Sequence, residues 1–385
     1  MVRSMNIKIA DNIISPLGFT SLENYQAVKA GKSALRLYEG KWNIPEAFVA
    51  SLFEENSLEK EFEQIQFSEK YTSFEKMCIL SVTKALQKCV IDISSEKVLF
   101  IISTTKGNVS LLADSEGFSA SRVLLGETAR QISGYFNNPN IPIVVCNACI
   151  SGVCAQITAM RSLQSGKYDY AVVVGADSQS PFIISGFQSL KALSPKECKP
   201  FDVNRKGLNL GEAAATIISE RKEQSSVQPD DWVACKGFIC NDANHISGPS
   251  RTGEGSFRVL HEVLEQQNVE NLAFINVHGT ATSYNDEMES IALYRAGLSS
   301  VPINGLKGSY GHTLGAAGIL ESVLSMYAVD DNTILATRGF ETLGVSNPLS
   351  LSNRNRETDK KSFIKLLSGF GGCNAALLFK KGDVL

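Results

Sequence analysis

Short unbroken runs of aliphatic and β-branched residues recur along this chain, separated by stretches whose apolar residues return every three or four positions. Val98-Leu99-Phe100-Ile101-Ile102, Ile143-Val144-Val145, Ala171-Val172-Val173-Val174 and Ala215-Thr216-Ile217-Ile218 are such runs. None shows the strict apolar–polar alternation of a half-exposed strand, so each reads as a strand covered on both faces. Between the first runs, Ser73–Cys89 carries Phe74, Met77, Cys78, Val82, Ala85 and Leu86 at helical spacing. Thr72 and Glu75 offer that helix a reciprocal N-terminal cap. Strands buried on both sides need helices on both sides, and the pattern predicts an α/β fold around a mostly parallel sheet.

A second series follows the polar stretch Glu220–Asp231, with strands near Phe274–Val277, Ile364–Leu367 and Ala375–Phe379. That stretch is the one plausible linker and divides residues 1–230 from 231–385. No sequence repeat is visible between the two parts. The length, 385 residues, suits roughly two to three domain-sized units. Glu46–Lys70 is expected to be a surface excursion or cap.

Several classes of function are excluded on composition. A net charge of −3 with no Lys/Arg block gives no field to recruit nucleic acid. No segment approaches membrane-span length, and the first residues lack the apolar run of a signal peptide, so a cytoplasmic protein is expected. Nine cysteines, odd in number and scattered through strand-like and helix-like segments, read as reduced thiols. Cys146 and Cys149 form a C-x₂-C, but no second pair completes a zinc site, and no metal is expected. A redox dithiol is the other reading of that spacing; a strand followed by a helix of small residues fits a lone nucleophile better.

Four separated segments carry residues with chemistry. In Val145-Cys146-Asn147-Ala148-Cys149-Ile150-Ser151-Gly152, an apolar run gives way to a helix rich in small residues. A cysteine there meets unpaired N–H groups and the helix dipole, which lower a thiol's pKa and can bind an oxyanion. An isolated buried cysteine is usually an inert hydrophobe, so Cys149 gains its meaning from its companions, and Cys146 reads as core. His278 and His312, two of only four histidines, each read as closing a strand-like run and are followed by glycine or threonine. Lys307 lies between Pro302-Ile303-Asn304 and the glycine-rich Gly308–Gly318; burial there would demand a partner. That segment matches no phosphate-binding pattern. Gly369-Phe370-Gly371-Gly372 lets backbone approach a ligand closely, or simply turns the chain. Asp286 and Glu289, taken alone, are favourable acidic residues at a helix start.

With Ile14–Gly18, Gly31–Ser33 and Lys199–Glu212, these segments resemble, nearly end to end, the β-ketoacyl-acyl carrier protein synthases of the Cys-His-His branch. The resemblance implies a thiolase-like, five-layered αβαβα sandwich of two similar halves, the first carrying the nucleophile and the second the histidines. It implies a 3-oxoacyl-carrier protein synthase of fatty acid or polyene/polyketide-type biosynthesis. Cys149 would take an acyl group from the phosphopantetheine of acyl carrier protein, with no other cofactor. Malonyl-carrier protein would then lose CO₂, and the enolate would attack the acyl thioester.

The same resemblance assigns roles. His278 and His312 hydrogen-bond the malonyl thioester oxygen, while Lys307 pairs with Glu321, which opens the following helix. Thr280, Thr282, Asp286 and Glu289 support the site. The Phe370 N–H shares an oxyanion hole with Cys149, and its ring gates the acyl pocket between Gly369 and Gly371. Arg205 and Lys206 are candidate contacts for the acidic carrier protein. A homodimer, or a heterodimer with a related synthase, is expected, with Gly117–Asn137 near the contact. Ile150 adds bulk beside the nucleophile, while Leu366 and Ser368 stand where Asn and Phe are usual. Those departures predict a pocket favouring narrower or more unsaturated acyl chains. The rival reading is a non-catalytic partner of the chain-length-factor type, but such proteins typically lose the nucleophile. A degradative thiolase or a starter-unit synthase would use other motifs in the second half.

Overall fold

The computed structural model describes residues 4–65, 67 and 69–385. Its apolar runs form ten strands of one sheet, divided into two groups of five. The first group is built from β1 (Ser4–Ile14), α1 (Ser73–Leu86), β2 (Val98–Ser103), α2 (Leu125–Tyr135), β3 (Ile143–Val145), α3 (Ser151–Gln164), β4 (Tyr170–Asp177) and β5 (Ala213–Glu223). The second contains β6 (Trp232–Asn241), α4 (Glu254–Leu264), β7 (Phe274–Asn276), α5 (Ser283–Arg295), β8 (Ile303–Asn304), α6 (Ala317–Asp330), β9 (Ser362–Gly369) and β10 (Cys373–Lys381).

Spatial order is β3-β2-β4-β5-β1 in the first group and β8-β7-β9-β10-β6 in the second. By position within each group this is the same order, third-second-fourth-fifth-first. The pairings match as well, two parallel and two antiparallel in each group, so the sheet is mixed and not mostly parallel as the apolar runs suggested. A duplication invisible in the residues is therefore plain in the topology. The groups meet where β1 pairs antiparallel with β6 over Asn6–Lys8 and Trp232–Ala234.

Helices α3 and α6 pack on each other and touch strands of both groups, so they form a shared central layer. Buried Ile150, Val153 and Ile157 meet Ile319, Val323 and Leu324 there. Their crossing is close because two glycines face each other: a Cβ on Gly318 would lie 2.5 Å from the Val153 nitrogen. On the outer faces, α1 and α2 cover the first group of strands, and α4 and α5 cover the second. The result is the five-layered αβαβα sandwich.

Thr72 and Glu75 cap α1 reciprocally, and the helix stops at Leu86, short of Cys89. Other sequence expectations change. Glu220–Glu223 is not linker but the end of β5, paired with β1; the connection is only the turn and loop before Trp232. Phe48–Ser51, expected on the surface, is a buried strand between Arg36–Tyr38 and Leu210–Gly211. Leu58 and Phe62 of the same segment are buried too, while Gln66 and Ser68 lie outside the described residues. Among the described residues no helix is long and apolar enough to cross a membrane.

Candidate active site

Cys149 sits in the turn that converts β3 into α3. Ser151 ties that turn: its hydroxyl donates to the Ala148 carbonyl at 2.6 Å and accepts from the Asn147 N–H at 2.8 Å. Ala148 is held in the left-handed region (φ 44°), a strained conformation for a residue with a side chain. From the far end of β9, Gly369 passes so closely that a Cβ there would lie 3.1 Å from the Cys149 nitrogen. The next residue, Phe370, aims its backbone N–H at the sulfur. Phe370 is 37% exposed as a residue, and its ring stacks on Phe187 with centroids 6.0 Å apart. Gly371 completes the turn at φ 85° and donates its N–H to the Ile246 carbonyl.

The two histidines arrive from the second half. His278 follows β7 after a single residue, Val277. His312 does not close a strand, contrary to the sequence reading. It follows the helical turn Lys307–Tyr310 and is held by first-half backbone: its N–H donates to the Asn209 carbonyl at 2.6 Å, and its carbonyl accepts from Gly211 at 3.0 Å. Cys149 Sγ and a ring nitrogen from each of His278 and His312 lie within 4.8 Å of one another. The rings meet edge to face, with centroids 5.0 Å apart. His312 Nδ1 accepts from the Leu314 N–H, which leaves its Nε2–H free to donate into the site. The Nδ1 of His278 is likewise buried without a partner.

Both imidazoles are buried beside Lys307, and burial first, then that ammonium, holds their pKa values well below 6.5. They are neutral donors near pH 7. The thiol moves opposite to the sequence expectation: burial pushes Cys149 up to about 11, outweighing Lys307 and the Phe370 N–H, which favour thiolate. At rest the trio is therefore an uncharged thiol facing two neutral imidazoles.

Lys307 and Glu321 form the expected buried pair at 2.9 Å, with Glu321 in the second turn of α6 and not at its opening. The Lys307 ammonium also donates to the His278 carbonyl at 2.6 Å. On the opposite side of that peptide, Glu289 accepts the N–H groups of His278 (2.7 Å) and Gly279 (2.8 Å). Asp286 accepts those of Ala281 and Phe201. These two acids are thus buried braces of the His278 loop, and burial raises Asp286 to about 6 and Glu289 to about 7. Thr280 and Thr282 share a hydroxyl hydrogen bond at 2.9 Å, and Thr282 caps α5.

Three expectations are corrected by the geometry. Arg205 turns inward: its side chain is 10% exposed, lies 4.0 Å from Asp286 and donates to the carbonyls of Asp202 and Gly344. It is a brace, not a docking cation; Lys206 is the exposed member of the pair. Ile150 packs into the central layer, and Ser368 faces α4, hydrogen-bonded with Ser256 and Asn374. Neither side chain belongs to the apolar cluster that contains Cys149. Cys146, read as core, is exposed.

Sequence reasoning missed two charged groups. Asp177, ending β4, pairs with Lys106 at 3.0 Å and accepts the Gly315 N–H at 2.7 Å, pinning the loop after His312. Lys365 is buried in β9 and donates to Glu321 and Asn276. The signal was present in both cases: a charge inside or closing an apolar run requires a partner.

Models of the β-ketoacyl synthase N-terminal and C-terminal domains match residues 12–225 and 233–341. The chain belongs to the β-ketoacyl synthase family. It is thereby an enzyme of the condensing acyltransferase class. The chain is 27% identical over 418 residues to 3-oxoacyl-[acyl-carrier-protein] synthase 2 of Vibrio cholerae, covering 96% of this chain and 97% of that protein. Its namesake in Rhizobium meliloti is 30% identical over 259 residues, covering 63% and 61%. The ishigamide ketosynthase/chain length factor superposes with a TM-score of 0.86 at 23% identity, covering 98% and 99%, and so shares the fold.

Proposed function

We propose that the chain is a 3-oxoacyl-[acyl-carrier-protein] synthase that condenses malonyl-carrier protein with an acyl group on Cys149. One observation carries this reading: a buried thiol within 4.8 Å of ring nitrogens of two neutral imidazoles. In the first half-reaction a neighbouring imidazole takes the Cys149 proton as the sulfur attacks the acyl thioester. The oxyanion is received by the Phe370 and Cys149 N–H groups, and the carrier thiol leaves with a proton. In the second, malonyl thioester loses CO₂ while His278 and His312 donate to its carbonyl oxygen. The resulting enolate carbon attacks the acyl-Cys149 carbonyl and expels the sulfur. Lys307 and Glu321 fix the frame, and no further cofactor takes part.

The acyl group is apolar in this reading. Ile44, Phe48, Ile183, Ile184, Leu208 and Leu314 form the cluster that contains Cys149, with Phe370 as the gate. Carrier protein delivers both thioesters, with Lys206 among its contacts. Strand β3 ends the sheet beside exposed Leu124 and Ile141, which supports pairing there with a second copy or a related synthase. The compartment is cytoplasmic, consistent with nine free cysteines.

The test is mass spectrometry of the Cys149 peptide after incubation with acyl-carrier protein, followed by malonyl-carrier protein. Acyl mass and then 3-oxoacyl product are expected. Cys149→Ala should lose both while retaining malonyl decarboxylation. Near wild-type condensation by that variant refutes the assignment, and absence of any acyl mass on the wild type favours a non-catalytic partner subunit.

A further inference from the structure

Lys365 lies at the middle of β9, in Phe363-Ile364-Lys365-Leu366-Leu367, and is fully buried. Strand alternation turns Ile364 and Leu366 toward α4 and leaves Lys365, with Phe363 and Leu367, facing the central layer. There its ammonium donates to one Glu321 oxygen while Lys307 donates to the other. It also donates to the Asn276 side-chain oxygen and lies 3.4 Å from the carbonyls of Asn276 and Val277. Lys307 takes the next carbonyl, that of His278. Three successive carbonyls at the end of β7 therefore face two ammonium groups, directly behind one of the histidines.

We propose that Lys365 is a positioning residue for malonyl decarboxylation, adding a second positive charge behind His278 and His312. The inference rests on the synthase reading above. With Lys307 alone, Glu321 would complete a neutral pair. The second ammonium adds positive charge that Glu321 alone does not balance, at a buried position where screening is weak, and Glu289 is the nearest further carboxylate. Enolate formation places negative charge on the thioester oxygen that the two imidazoles hold, so a positive background favours the product of that step over the reactant. The same charge discourages protonation of the imidazoles. Lys307 and Lys365 lower both, after burial itself.

The titratable groups around Lys365 are Glu321 from α6, Lys307 from the turn after β8, Glu289 from α5 and the two neutral imidazoles of His278 and His312. Burial brings Lys365 down to about 8 against the pull of Glu321. Its charge fades as pH rises through that value, so decarboxylation should lose rate on an alkaline limb near pH 8.

Lys365→Gln keeps a donor for Glu321 and removes the charge, while Lys365→Met removes both. Acyl loading of Cys149 and malonyl-carrier protein decarboxylation are measured separately on the full chain from pH 5.5 to 9.5, with melting curves alongside. For Lys365→Gln the expected result is loading within about twofold of wild type and decarboxylation kcat down about tenfold, the scale on which groups behind a reacting residue act. Its acid limb should move to higher pH and the alkaline limb near pH 8 should vanish. Lys365→Met should show the same changes with a lower melting temperature. Wild-type decarboxylation with unchanged limbs in Lys365→Gln overturns the proposal. So do loading and decarboxylation that fall together, or a Gln variant that fails to fold, because either outcome makes Lys365 a stability residue alone. A wild-type protein that neither loads nor decarboxylates sinks the synthase reading, and this proposal with it.

Discussion

Alkylation of Cys149 by iodoacetamide should rise steeply with pH and show no plateau below about pH 10. The thiol is held at about 11 against an ordinary 9.0, because burial disfavours the charged form more than Lys307 and the Phe370 N–H favour it. That difference corresponds to about 3 kcal/mol against the thiolate. At pH 8 it leaves roughly one molecule in a thousand as thiolate, compared with about one in ten for an ordinary cysteine. No ion pair compensates, since burial and Lys307 keep His278 and His312 unprotonated. The rate is measured by peptide-resolved mass spectrometry, so that exposed Cys146 is scored separately. Between pH 7 and 10 the Cys149 rate should climb about tenfold per pH unit. Lys307→Met should lower it further at every pH, because Lys307 is the largest of the groups favouring thiolate. A Cys149 rate already flat by pH 8 would refute the reasoning, since it would mean a preformed thiolate that the helix terminus or a histidine maintains despite burial.

Glu321→Gln leaves two buried ammonium groups, Lys307 and Lys365, facing a neutral amide, and should cost about 3–5 kcal/mol in denaturant unfolding. A loss under about 1 kcal/mol would show that the cluster is not held as a buried ion network. Glu289 is raised by burial from 4.5 to about 7, so its contribution is fully present below pH 4.5 and is lost as pH rises through 7. Glu289→Gln should therefore fall less in stability than wild type between pH 5 and 7.5, and equal changes in the two proteins would refute the assignment.

Much of the site was legible before folding because it lies in local motifs. Cys149, His278, His312, Lys307 and Phe370 each sit beside a change of period or a glycine-rich turn. The structure brings the thiol, both imidazoles, the Lys307 ammonium and the Phe370 N–H together. What failed were inferences about direction. Arg205 looks like a surface cation in Asn204-Arg205-Lys206, yet Asp286, eighty-one positions away in sequence, lies 4.0 Å from its guanidinium. Ile150 and Ser368 are neighbours of catalytic positions along the chain but point into the central layer and toward α4.

Secondary-structure type and the double covering of the sheet were determined by the sequence itself, since an unbroken apolar run and a 3.6-residue return of apolar positions are properties of a local stretch. Even the capping of α1 follows from two residues three apart. Tertiary structure alone decided the repeated strand order, the partners of Lys365 and the neutral state of the resting thiol. Each depends on which distant segments exclude water from a group. Burial and charge pairing act through space, and spacing along the chain does not encode that distance until the two halves have closed on α3 and α6.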